Sequence, residues 1–245
     1  MNKPAEESLA EARRKIVFPL DFSTPAEAEN FADRLGGQVG IFKVGLELFI
    51  AAGPSVLRTL PSDTGIFLDL KLHDIPATVG RAARAAAGHG VRFLSVHASG
   101  GGKMLESAVE GAGEETKVLA ITALTSLDGE ELKRLGLRED LTDPAALVLH
   151  RAALARETGC AGIVCSGREV GAVKERFGED FIALVPGVRP DWGGVPGDDQ
   201  ARVTTPAEAV RRGADYLVVG RPIRLADDPA SAAARIAEEI ASARA

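Results

Sequence analysis

Three charged residues crowd the segment IFLDLKLHD: Asp69, Lys71 and Asp74. A carboxylate and an ammonium two residues apart, with another carboxylate just beyond, form a set able to move a proton and to balance charge developing on a substrate. Asp21, ending IVFPLD, and Lys43, late in GIFKVG, place one more carboxylate and one more ammonium at the ends of two other apolar runs. A second set of residues suits an anion. Gly220 lets backbone approach a ligand closely, and Arg221 beside it offers a planar fork of donors. Arg189 and Gln200 add donors within PGVRPDWGGVPGDDQARV (186–203), where Gly187, Gly193, Gly194 and Gly197 predict a mobile closing loop.

Eight short runs must carry these residues: IVFPLD (16–21), GIFKVG (40–45), IFLDLKL (66–72), VRFLSVHA (91–98), KVLAIT (117–122), AGIVCS (161–166), FIALVP (181–186) and YLVVG (216–220). Strands alternating with amphipathic helices indicate βαβ units and a parallel sheet. Ser23, Thr24 and Pro25 open one helix, Thr204, Thr205 and Pro206 another, with Gly213 as its stop. The stretch 124–159 has room for two helices, and the opening MNKPAEESLAEARRK reads as a charged helix leading into the first strand. Eight strands with helices on nearly every connection favour an α/β fold of the (β/α)8 type, one catalytic domain over residues 1–245, and such barrels take about 250 residues. No GxGxxG follows the first strand, which counts against an open dinucleotide-binding sheet.

Composition narrows the function classes. A formal charge of −6 gives no support for nucleic-acid binding, and no apolar stretch approaches the length of a membrane span. The N-terminus lacks the apolar centre of a secretory signal, so a cytoplasmic location is the default expectation. Cys160 and Cys165 flank a strand, five residues apart, and are expected on opposite faces as small hydrophobes without a disulfide. Two cysteines cannot build a zinc site, and no metal is expected.

Active sites in this fold lie at the C-terminal mouth of the barrel, and the loops after strands seven and eight often hold phosphate. The period of two sends Phe67, Asp69 and Lys71 to one face and Leu68, Leu70 and Leu72 to the other. The leucines suit the helical layer, so Asp69 and Lys71 must face the interior near the mouth. Unpaired charges there would cost several kcal/mol each, which calls for a chain of alternating charge through Asp21, Lys43, Asp69, Lys71 and Asp74. A structural ion-pair network is the plainer reading, yet two lysines and three carboxylates at strand ends are expensive for structure alone. The implied ligand is a phosphorylated small molecule.

FLDLKLHDIPATVG resembles the DxKxxD signature of the orotidine 5′-phosphate decarboxylase family, including its His and Ile-Pro context. The resemblance continues through LDFSTPAEA, FKVGLELF, VHASGG, ALTS, PGVR, DDQ and VVGRPI, in order along essentially the whole chain. It implies a carboxy-lyase of pyrimidine biosynthesis that converts orotidine 5′-monophosphate to UMP and carbon dioxide with no cofactor. It implies further that Asp21 and Lys43 contact the ribose or support its charge network, and that Asp69 and Lys71 lie beside the reacting carbon, where Lys71 stabilises and protonates C6. Asp74 and Thr78 would come from the neighbouring subunit of a homodimer, Ile75 would join them at the ligand, and Thr125 and Ser126 would sit near the pyrimidine. Pro186 would contact the substrate, and Arg189, Gln200, Gly220 and Arg221 would hold the phosphate or close over it. Ala77 departs from the family's usual Asn, which removes one amide near the ligand. His73 and His97 carry no assigned role. Two alternatives stay open: a magnesium-dependent sugar-phosphate relative sharing DxKxxD, and a non-catalytic phosphate-binding barrel.

Overall fold

The computed structural model describes residues 3–193 and 203–243. Eight parallel strands close into a barrel in chain order: β1 (Ile16–Pro19), β2 (Ile41–Gly45), β3 (Gly65–Leu72), β4 (Phe93–His97), β5 (Lys117–Ile121), β6 (Gly162–Val164), β7 (Ile182–Val185) and β8 (Tyr216–Val218), with β8 pairing back onto β1. The helices of its outer ring are α1 (Lys3–Lys15), α2 (Pro25–Leu35), α3 (Leu46–Ala52), α4 (Pro76–Ala87), α5 (Gly102–Ala112), α6 (Gly129–Arg134), α7 (Pro144–Glu157), α8 (Val170–Phe177), α9 (Pro206–Arg211), α10 (Arg221–Arg224) and α11 (Pro229–Ala243). The fold is the expected (β/α)8 barrel, and 124–159 does hold two helices, α6 and α7. Among the described residues no helix is long and apolar enough to cross a membrane.

Local signals act where the residue types place them. The Thr24 hydroxyl accepts from the Glu27 amide and caps α2. Thr205 and Glu208 form a reciprocal capping box that opens α9, and Gly213 follows that helix at φ +97°. All but β2 and β3 end one or two residues before their apolar runs do, so Asp21, Pro186 and Gly220 lie in the turns beyond their strands.

Alternation divides the apolar residues into two layers. Val17, Ile41, Phe67, Phe93, Leu119, Leu184 and Val218 fill the barrel interior. Their neighbours Phe18, Phe42, Leu68, Leu94 and Val185 pack outward against the helices. Cys160 and Cys165 are buried and share no disulfide, and both belong to that outer layer rather than the expected opposite faces. β6 runs only over Gly162–Val164, so Cys160 precedes the alternation and parity does not govern it.

The bottom of the barrel is closed by charges whose partners are at hand. Lys174 is buried and donates to the carbonyls of Glu179 and Phe181 at 2.9 Å and to Asp215 at 2.7 Å. Lys15 reaches the carbonyls of Ala214 and Asp215, tying α1 to the start of β8. Arg92 donates to the Tyr216 hydroxyl at 2.7 Å and lies over the rings of Phe93 and Tyr216.

Candidate functional site

Above the apolar interior the inward positions become charged. Lys43 follows Ile41 by two residues on β2, and Asp69 follows Phe67 by two on β3, with Lys43 and Phe67 partnered in the ladder. Lys43 Nζ lies 3.0 Å from Asp21 Oδ1 and 3.7 Å from Asp69 Oδ2, while Lys71 Nζ lies 2.8 Å from the same Asp69 oxygen. The side chains of Lys43 and Asp69 are only 12% and 10% exposed, against 50% for Asp21, so the chain of charge runs from solvent into the barrel. Gly45 makes room for it: a Cβ there would lie 2.8 Å from Lys43 Nζ and 3.3 Å from Asp21 Oδ1.

Lys71 reaches Asp69 by a route that simple alternation does not describe. Phe67 pairs with Phe93 and Leu68 with Leu94, but Leu72 pairs with Val96, so β3 carries two extra residues between the last two pairings. Lys71 sits in this irregularity at φ +51°, the one non-glycine residue with positive φ among the described residues. An insertion of two preserves parity, which is why Leu70 and Leu72 still face the helical layer as the period of two predicts. The Lys71 amide is met by the Ser95 hydroxyl oxygen at 2.9 Å, and Ser95 in turn donates to Asp69 Oδ1 at 2.8 Å.

Burial by itself would push the Asp69 carboxyl up. The Lys43 and Lys71 ammoniums, with hydrogen bonds from Lys71 and Ser95, outweigh it and hold the group below the usual carboxylate range. Asp69 is therefore an anion at neutral pH.

Two cavities open on this array. One of about 390 Å³ brings together Arg189, Arg221 and Arg224 with Gly220, Asp21 and Lys43, the size of a small-ligand site. A smaller one of about 140 Å³ has Lys43, Asp69 and Lys71 on one side and a floor including Phe67, Ile121 and Leu184. Lys43, Pro186 and Val218 border both, so an anion end and a charged, apolar-floored end form one continuous site. Gly220 is required for a reason beyond ligand approach: a Cβ there would lie 2.8 Å from the Pro19 ring.

The other expected residues divide. Thr125 lines the smaller cavity, whereas Ser126, next in the turn, is exposed and does not. Asp74 stands apart from the expected alternating array: it is exposed, its Oδ1 accepts from the Ile75 amide at 2.6 Å, and among the described residues it makes no ion pair. It lies in the turn beyond β3, where the alternation that carries Asp69 inward has ended. Ile75 is 66% exposed, and Thr78 and Ala77 lie on the first turn of α4, away from both cavities. Gln200 falls outside the described residues. The rings of His73 and His97 meet at a tilt of 38°, with centroids 5.4 Å apart. Burial, together with His73, Lys71 and Arg151, pushes the His97 imidazole down, so it is neutral at pH 7. Among the described residues no His, Cys, Asp and Glu cluster could hold a metal ion.

Two site residues escaped the sequence reading. Arg224 lines the anion cavity and donates to the Asp21 carbonyl at 2.8 Å, and its spacing of three from Arg221 was the available signal. Ser95 had a signal too, as the polar residue between Phe93 and His97 on an otherwise apolar strand.

Fold and site together define a (β/α)8-barrel enzyme with an anion-binding mouth beside a lysine–carboxylate array. Residues 14–236 match the Orotidine 5′-phosphate decarboxylase / HUMPS family, and the chain belongs to it. It is 50% identical over 232 residues to the orotidine 5′-phosphate decarboxylase of Desulfosudis oleivorans, covering 93% of each chain. It is 53% identical over 224 residues to that of Anaeromyxobacter sp. strain K, covering 91% of this chain and 96% of the relative. The crystal structure of orotidine 5′-phosphate decarboxylase from Lactobacillus acidophilus superposes with a TM-score of 0.81 at 36% identity, covering 92% of this chain and 98% of that one.

The depressed His97 pKa has a consequence for stability. An unfolded histidine titrates near pH ~6.5, so below that pH the unfolded chain takes up a proton that folded His97 resists, and stability falls with pH. Thermal melts across that range should show the destabilisation on acidification to be smaller in His97→Asn than in the wild type. A difference between the two proteins that is constant with pH would contradict this.

Proposed function

We propose that this chain decarboxylates orotidine 5′-monophosphate to UMP and carbon dioxide, as a cytoplasmic carboxy-lyase of pyrimidine biosynthesis with a single catalytic domain. The observation that carries the mechanism is the Lys71 ammonium, 2.8 Å from Asp69, lining the apolar-floored cavity that adjoins the anion cavity at Lys43. The phosphate would be held by Arg189, Arg221 and Arg224 with Gly220, and the ribose by Asp21 and Lys43. That leaves the pyrimidine over the floor of the smaller cavity, between Thr125 and Lys71. When the bond from C6 to the carboxylate carbon breaks, its electron pair stays on C6, and the ammonium stabilises that charge. Lys71 then gives C6 a proton and regains one from solvent.

Electrostatics sets the weight of each group. Two unit charges 4 Å apart interact by about 4 kcal/mol at an effective dielectric near 20. Repulsion between Asp69 and the substrate carboxylate is thus worth roughly a thousandfold at most. Asp69 already shares its charge with two ammoniums, which lowers even that figure. The larger contribution falls to Lys71, whose interaction grows as charge moves from the departing carboxylate onto C6.

We further propose a homodimer in which Asp74 and Thr78 serve the partner's site. Asp74 is exposed and makes no ion pair among the described residues, although its sequence neighbours Asp69 and Lys71 are paired. Exposed Leu46 and Ile50 on α3, and Ile75 beyond β3, place apolar surface on adjoining elements near the mouth.

Following orotidine 5′-monophosphate absorbance with purified protein and a chelator tests the reaction. Conversion to UMP is expected, and a requirement for added magnesium would favour the sugar-phosphate branch of the family. Lys71→Ala should abolish turnover while leaving the melting temperature near that of the wild type; near-normal UMP formation would remove Lys71 as proton donor. Arg221→Ala should chiefly raise KM, and an unchanged kcat/KM would rule out its phosphate role. Mixing the inactive Lys71→Ala and Asp74→Ala chains under exchange should restore about a quarter of full activity, because random twofold pairing gives hybrid dimers with one intact site. No recovery in confirmed hybrids would place Asp74 in its own chain's site.

A further inference from the structure

We infer that Ser95 is a positioning residue for the reaction, its hydroxyl joining the bulged backbone of Lys71 to the carboxylate of Asp69. The inference rests on the proposed role of Lys71 as proton donor. Three observations meet at this one side chain. Ser95 is fully buried at an inward position of β4. Its oxygen accepts from the Lys71 amide at 2.9 Å, and its hydrogen goes to Asp69 Oδ1 at 2.8 Å. The same two residues are joined a second time through their side chains, Lys71 Nζ to Asp69 Oδ2 at 2.8 Å.

The need for a hydroxyl follows from the backbone. Two extra residues in β3 interrupt its ladder with β4 beside Lys71, so the Lys71 amide takes a side-chain acceptor instead. Lys71 holds φ +51°, a conformation that non-glycine residues adopt only where their surroundings enforce it. A group at position 95 must therefore accept from one partner and donate to the other at once. A hydroxyl does both; an alkyl side chain does neither.

The consequence reaches both catalytic partners. With Asp69 Oδ1 held by Ser95, Oδ2 is the oxygen left to face Lys71 and Lys43. Loss of the hydroxyl frees the carboxylate to rotate and the Lys71 backbone to relax, displacing the ammonium from C6. It also removes one of the hydrogen bonds that keep Asp69 ionised.

Ser95→Ala tests this by steady-state UMP formation across pH, with UMP affinity measured by calorimetry. We expect kcat to fall by about tenfold to a hundredfold, the scale for small misplacement of a reacting group, while UMP affinity stays within about threefold. The acid limb of the pH profile should move upward, because Asp69 protonates more readily without the Ser95 donor. A purely structural role would lower the melting temperature and leave kcat and the acid limb of the folded enzyme unmoved; that result would overturn the inference. Ser95→Cys keeps the size and weakens the donor. It should fall between Ser95→Ala and the wild type, and it supplies the decisive reading if Ser95→Ala does not fold. Lys71→Ala is assayed alongside. If it retains turnover the proton-donor reading fails, whereas an inactive Lys71→Ala beside a fully active Ser95→Ala defeats this inference alone.

Discussion

The site depends on keeping one carboxylate ionised where water is scarce. Asp69 is held at the inner edge of the barrel mouth, where burial works against its charge, and it remains an anion because two ammoniums and a hydroxyl converge on it. Each of those partners imposes a condition on its own strand. Lys43 must occupy an inward position of β2, with nothing larger than hydrogen at Gly45 beside its ammonium. Lys71 must come from the same strand as Asp69 and still reach back to it, which β3 achieves by accepting two extra residues and a left-handed backbone. The irregular strand is thus part of the geometry that pairs a lysine with a buried carboxylate.

The two ends of the barrel treat charge differently. At the bottom, Lys174 has Asp215 and two carbonyls, and Arg92 has a hydroxyl and two rings, so these charges brace helices and strands against one another. At the mouth, three arginines border one open cavity and two lysines border another, with the nearest carboxylates drawn to one side. An ion-pair network built for stability would resemble the bottom. The mouth instead gathers its cationic side chains around a space of ligand size, and the division matches the general separation of stability and chemistry between the two faces of this fold.

Much of this was legible in the residues because it depends on alternation and local capping. The eight runs, the inward placement of Asp69 and Lys71, and the Thr205 cap all follow from periods and side-chain types that act over a few residues. What was not legible depends on partners distant in sequence. The two-residue insertion in β3 is defined only against β4, and it left the parity of Lys71 correct while changing its backbone. Ser95 acquires meaning only once that insertion presents an unpaired amide to it. Cys160 was misplaced because a parity argument was carried past the end of a three-residue strand. Asp74 is the converse case: its place in the motif suggested membership of the array, but the turn after β3 carries it outward.

In the mechanism proposed above, charge balance decides how the site would accelerate loss of carbon dioxide. Asp21, Lys43, Asp69 and Lys71 together contribute two positive and two negative charges, linked in alternation. A substrate carboxylate entering beside Asp69 also enters beside Lys71, so repulsion from one is offset by attraction to the other in the ground state. The offset does not persist along the reaction. As the carboxylate leaves it becomes neutral carbon dioxide, and in the proposed pose the negative charge it carried would pass to a ring carbon beside the ammonium. Attraction to Lys71 is kept while repulsion from Asp69 is relieved, so the pair favours the transition state over the substrate even though neither charge does so strongly alone. Selectivity for the transition state then rests on where the two groups stand relative to C6, which makes the backbone that places Lys71 as consequential as its charge.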